Sequence, residues 1–144
     1  MEKKRVVITG LGALTPIGNS VDEYWNNLIA GKSGADFITK FDASLFKTQF
    51  ACEIKDFDPL TIMDRKEVRK LDPFSVYAMA TAKEALADSN IDLDKVNLYR
   101  AGVVWGSGIG GMKTFQEECF NFKDGDGTPR FNPFFIPKMI VDIA

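Results

Sequence analysis

Arg5–Gly18 reads RVVITGLGALTPIG, and its first half decides the class of fold. The β-branched run from Val6 ends in Gly10 and Gly12, the pattern of a strand buried on both faces that runs into a tight turn. The pattern returns at Ala101–Ser107, AGVVWGS, which feeds a glycine cluster and then a helical stretch beginning near Met112. Strand, turn and helix recur, and this alternation predicts an α/β protein.

Between these stretches the helices announce themselves by their ends. After Pro16 and Gly18, Asn19 and Ser20 are capping candidates. Val21, Trp25, Leu28 and Ile29 then recur at helical spacing, and Gly31 stops the run. Asp72 and Pro73 read as N-cap and first residue of an alanine-rich helix over Phe74–Asn90. A short strand is predicted at Gln49–Ile54, QFACEI, from the alternation of Phe50, Cys52 and Ile54. Asp124–Pro137 is rich in Gly and Pro and reads as a loop carrying Phe131, Phe134 and Phe135, with a last helix starting at Pro137.

That last helix, PKMIVDIA, reaches the final residue with no glycine, basic turn or proline to end it. Only about three strands are predicted where α/β sheets usually hold about five or six. The expectation is therefore a fragment of a larger protein.

Composition narrows the functions. The 144 residues permit one compact unit, and 45% hydrophobic with 12% aromatic residues is the make-up of a packed chain. The formal charge of −2 is too balanced to hold a polyanion over a broad surface. There is no histidine, and Cys52 and Cys119 form no CxxC pair, so no metal site is expected. The opening MEKKRVVITG is interrupted by Thr9 and Gly10 too early for a signal peptide. No stretch approaches the ~20 apolar residues of a membrane helix. A soluble cytoplasmic protein without a cofactor is the expectation.

Gly106, Gly108 and Gly111 satisfy G-x-G-x-x-G between a strand and a helix. The ribose-binding carboxylate expected about 20 residues further on, at the end of a second strand, is missing, since Glu117 and Glu118 fall on the helix. No GK[ST] phosphate loop exists either, so a free-standing nucleotide-binding module is disfavoured. Glycines at these turns let backbone approach backbone without any ligand.

Three motifs in order, RVVITGLGALTPIG at Arg5–Gly18, GSGIGG at Gly106–Gly111 and NPFFIP at Asn132–Pro137, have RKEVRKLDPF between the first and second. Along essentially the whole chain they resemble the elongating β-ketoacyl-acyl carrier protein synthases of bacterial fatty acid synthesis, the FabF type. The resemblance implies a thiolase-like fold of stacked αβαβα layers, of which residues 1–144 form the N-terminal portion of the first α/β half. It also implies a homodimer whose cysteine takes an acyl chain from acyl carrier protein, the thioester then being attacked by the carbanion from malonyl decarboxylation.

By that resemblance the nucleophile follows the IVDIA-like helix, and two histidines and a lysine belong to the second half, so no catalytic residue falls in this chain. Cys52 and Cys119 lie outside the family's cysteine motif. The acyl pocket is expected to draw on Ile109 and on Phe134 or Phe135, the phenylalanine reaching across the dimer. Arg65, Lys66, Arg69 and Lys70 share one sector of a helix, with Val68 and Leu71 pointing elsewhere. The resemblance makes Lys66, Arg69 and Lys70 the docking face for acidic acyl carrier protein; Arg130 is read as a further basic residue extending that patch. A non-catalytic chain-length factor and a polyketide ketosynthase are the alternative readings.

Overall fold

The computed structural model describes residues 3–141. They form two compact units, one running up to Asp58 together with Thr81–Ile91, the other made of Pro59–Ala80 and the chain from Asp92 onward. Five α-helices and one small sheet occur among the described residues, besides three single 3-10 turns, in the order α1 (Val21–Ile29), β1 (Ala35–Phe37), β2 (Phe50–Cys52), α2 (Arg65–Val68), α3 (Pro73–Ser89), α4 (Met112–Asp124) and α5 (Phe135–Met139).

In the first unit α1 begins at Ser20, whose hydroxyl accepts from the Glu23 backbone N–H at 3.2 Å. Glu23 in turn accepts from the N–H of Asn19, the residue before the cap, at 2.7 Å, so its side chain pins the entering chain to the first turn. Gly31, at φ +67°, ends the helix as its sequence position requires. The apolar stripe of α1 stays open, with Trp25, Leu28 and Ile29 all exposed. β1 and β2 pair antiparallel in the register Ala35 to Cys52 and Phe37 to Phe50. The strand expected at Gln49–Ile54 is therefore present as its central residues.

The chain that enters this unit lies against the second half of α3. The Leu11 N–H donates to Asp88 Oδ2 at 2.9 Å and the Ala13 N–H to Glu84 Oε2 at 2.8 Å. Glu84 Oε1 also accepts from the Val21 N–H at 2.8 Å, tying the start of α1 to the same helix. Gly10 and Gly12 alternate with these donors. A Cβ at Gly12 would meet the Thr81 carbonyl, and one at Gly10 would meet the Ala85 carbonyl and the Ser89 backbone. Here glycine is required by close approach, since helix backbone occupies the space a side chain would need.

The two long strands read from the sequence are not strands among the described residues. Arg5–Gly12 and Ala101–Ser107 carry no ladder, and their β-branched residues are open, Val6 at 91% and Val104 at 100% of full exposure. Apolar periodicity registers a demand for burial. A ladder needs in addition a neighbouring strand about 4.8 Å away, and no described segment supplies one.

The second unit keeps its small core where α3 begins. Val76, Ala78, Ser75, Asp72 and Thr114 are buried, and Thr114 Oγ1 donates to Asp72 Oδ2 at 2.6 Å. α3 runs Pro73–Ser89 as its sequence predicts and stops at Asn90, which takes a left-handed φ of +51°. α5 departs from expectation: it starts at Phe135, ahead of Pro137, and ends at Met139. Proline is tolerated in a first turn because its missing N–H would be unsatisfied there anyway, so Pro137 sits inside the turn it was expected to open. The final residues, 142–144, lie outside the described residues.

Candidate functional site

The second unit holds every candidate residue read from the sequence, in two groups. The first is built around the glycine turn. Gly110 takes φ +81° and donates its N–H to Ser107 Oγ at 3.1 Å, which closes the turn and leaves Ile109 at its tip, 66% exposed. Gly111 donates to the Met139 carbonyl at 3.2 Å. A Cβ on Gly111 would run into the Lys138 carbonyl, and one on Gly110 into the Met139 carbonyl, so these glycines press the turn against the end of α5. Gly106 and Gly108 meet nothing in this way.

The other end of α5 is fixed by Asn132. Its N–H donates to Glu118 Oε2 on α4 at 3.0 Å, while its side-chain and backbone oxygens accept from the Phe134 and Phe135 N–H groups, each at 2.8 Å. Four aromatic rings then stack in a row: Phe122 on Phe131 at 5.6 Å, Phe131 on Phe135 at 5.7 Å, Phe135 on Phe115 at 6.3 Å between centroids. Such offset stacks contribute about 0.5–1.5 kcal/mol per pair beyond burial. Phe135 is thereby committed to holding α5 on α4. Phe134, 39% exposed, has no part in that row.

The second group is cationic. Asp64 accepts from the Lys66 and Glu67 backbone N–H groups at 2.7 and 2.9 Å, starting α2 with a cap that sequence reading did not single out. α2 is one turn only, and Arg69 closes it; the Lys70 N–H then bonds to the Glu67 carbonyl in a tighter turn. The expected helical sector is thus shorter than four residues of one face require. Arg65, Lys66 and Arg69 are exposed, and Lys70 is half-buried with its Nζ 2.6 Å from Glu67 Oε1.

Arg130 lies on the loop after α4 and pairs with Asp126 at 3.2 Å. The Thr128 backbone N–H, which donates to Asp126 at 2.9 Å, is the main cause holding that carboxyl below its usual range, so Arg130's partner stays charged. Cys52 on β2 and Cys119 on α4 are both free and exposed. No helix of the described residues is long and apolar enough to cross a membrane.

The two groups are physically joined. The cationic segment leads through Leu71 into Asp72, and Asp72 is hydrogen bonded to Thr114 in the first turn of α4, directly after the glycine turn. This buried contact between residues 42 positions apart, like the Glu118 to Asn132 bond, leaves no local trace in the sequence. The only hint is that Asn-Pro pairs such as Asn132–Pro133 favour turn starts.

Comparison with known proteins gives a consistent set of likenesses. The family model for the beta-ketoacyl synthase, N-terminal domain, matches residues 3–144. The 3-oxoacyl-[acyl-carrier-protein] synthase 2 of Coxiella burnetii is 48% identical over 144 residues, that of Synechocystis sp. 42% over 144, and that of Staphylococcus aureus strain COL 43% over 143. In each case the chain spans 34% of the relative's length.

Among solved structures, a beta-ketoacyl synthase from Burkholderia phymatum superposes with a TM-score of 0.76 at 26% identity, covering 98% of this chain and 35% of that one. The ishigamide ketosynthase/chain length factor gives 0.76 at 28%, covering 93% and 33%. A type II polyketide acyl-carrier protein in complex with its ketosynthase, bound to the hexaketide, gives 0.75 at 27%, covering 96% and 35%.

Proposed function

The chain belongs to the beta-ketoacyl synthase family, with the thiolase-like α/β fold of its solved members, and from that premise we propose that it is the N-terminal part of a 3-oxoacyl-acyl carrier protein synthase. The full-length protein then condenses acyl-acyl carrier protein with malonyl-acyl carrier protein and releases carbon dioxide, lengthening a fatty acyl chain. It acts as a cytoplasmic homodimer. The remainder of the N-terminal domain and a C-terminal domain supply the cysteine nucleophile and the histidines, of which this chain has none.

Within that enzyme the second unit shapes the acyl pocket and presents the docking face. The observation that carries this reading is the joining of the exposed cationic segment and the Ile109 turn through the buried Thr114 to Asp72 hydrogen bond. A carrier protein bound at Arg65, Lys66 and Arg69 delivers its acyl chain from a fixed distance and direction. Ile109, held at the tip of a braced turn, forms an aliphatic wall; Phe134 contributes an aromatic one toward the partner subunit, while Phe135 supports both from the stack. A fatty tail gains about 0.8 kcal/mol for each methylene buried against such walls.

Charge reversal tests the docking half. In the full-length protein, the double variant Lys66→Glu and Arg69→Glu is expected to weaken binding of acidic acyl carrier protein by about tenfold or more at low salt. The difference should shrink as salt rises, because exposed charges are screened beyond a Debye length of about 8 Å at physiological ionic strength. Binding of undiminished strength by the double variant would refute the assignment.

A further inference from the structure

The docking segment Asp64–Lys70, DRKEVRK, sets four basic residues against two acidic ones, and the two acids are used differently. Asp64 is spent on the backbone, its Oδ1 accepting from the Lys66 and Glu67 N–H groups. Glu67 instead turns along the surface to Lys70, with Oε1 2.6 Å from Nζ and both side chains about half exposed, at 53% and 41%. Among the described residues Arg65, Lys66 and Arg69 have no ion-pair partner.

Resting on the docking reading above, we propose that Glu67 limits carrier-protein affinity by occupying Lys70 in the free protein, acting as an internal stand-in for the carrier's carboxylates. An exposed ion pair of this kind is weak, so an incoming acidic surface displaces it. The displacement exchanges one carboxylate for another on Lys70. Lys70 therefore adds little to net affinity, whereas Lys66 and Arg69 gain a partner they lacked. Once the carrier leaves, Glu67 folds back onto Lys70, which favours release over residence. A carrier that must depart after every transfer is served by such a face, since most tuning of affinity within one interface lies in the dissociation rate.

The experiment measures binding of purified, acidic acyl carrier protein to the full-length protein at physiological salt. Its variants are Glu67→Gln, Lys70→Met, the two combined, and Lys66→Glu with Arg69→Glu. Glutamine at position 67 leaves the Asp64 cap in place, so the segment keeps its fold. Glu67→Gln is expected to tighten binding about threefold, mainly through slower dissociation. Lys70→Met should weaken it far less than reversal of Lys66 and Arg69, and in the Lys70→Met background the gain from Glu67→Gln should largely disappear.

An unchanged affinity for Glu67→Gln, while Lys66→Glu with Arg69→Glu still weakens binding, would overturn the role of Glu67 and leave the docking face standing. An equal gain in both backgrounds would overturn it too, because Glu67 would then act through overall charge without Lys70. Indifference of binding to the Lys66 and Arg69 reversal would remove the docking face itself, and this proposal with it.

Discussion

Replacing Gly12 by valine is expected to abolish native folding of the full-length protein or to lower its stability by about 3 kcal/mol or more. A Cβ at this position meets the Thr81 carbonyl carbon at 2.9 Å and the Ala85 backbone nitrogen at 3.0 Å, both backbone atoms of α3 that no rotamer change can move aside. Relief requires the chain to lift from the helix, and lifting breaks the Leu11 to Asp88 and Ala13 to Glu84 hydrogen bonds on either side. Those carboxylates would then lose partners as well as contact. Against a total stability of about 5–15 kcal/mol for a typical domain, this loss decides whether the protein is recovered folded. Urea denaturation of Gly12→Val and the milder Gly12→Ala measures it; a valine variant with the parent's midpoint would show that the chain does not lie against α3.

The second large effect concerns the substrate. Ile109→Phe is expected to preserve condensation of short acyl chains while cutting kcat/KM for long ones by about two hundredfold, the equivalent of roughly four methylenes denied burial at ~0.8 kcal/mol each. The turn that carries Ile109 is braced by Gly110 and Gly111 against α5, so the larger ring cannot be accommodated by backing away. Ile109→Ala should act in the opposite sense and admit longer chains. A profile of kcat/KM against chain length, measured for both variants, checks the pair. A parallel loss at every length would mean that position 109 supports the turn and does not bound the pocket.

What could be read from the sequence was local. Ser20 and Gly31 marked the ends of α1, and Pro73 and Asn90 those of α3, because caps and breakers act within a few residues of themselves. Pairing was not legible. Val6–Ile8 and Val103–Val104 have the composition of core strands, but no described strand lies beside them, and composition names no partner. The acids that hold the entering chain, Glu84 and Asp88, act on residues 71 and 77 positions away, beyond the reach of any periodicity.

The candidate site divides along the same line. The basic residues 65–70 and the glycine turn stand out as runs, so their presence could be read directly. Their connection through Asp72 and Thr114 could not, nor could the division of labour between Phe134 and Phe135, which depends on the stacked rings of Phe115 and Phe131. The sequence groups Lys70 with the other basic residues of the patch; the structure pairs it with Glu67, three residues earlier, at the spacing that lets helix neighbours meet.

Condensing activity is measured by following carbon dioxide release from malonyl-acyl carrier protein by the full-length protein, with and without acyl-acyl carrier protein. Release coupled one for one to a lengthened β-ketoacyl product is expected when both carriers are present. A folded protein that binds both carriers yet forms no lengthened product would contradict it, and would point to the chain-length-factor role of a non-catalytic partner subunit.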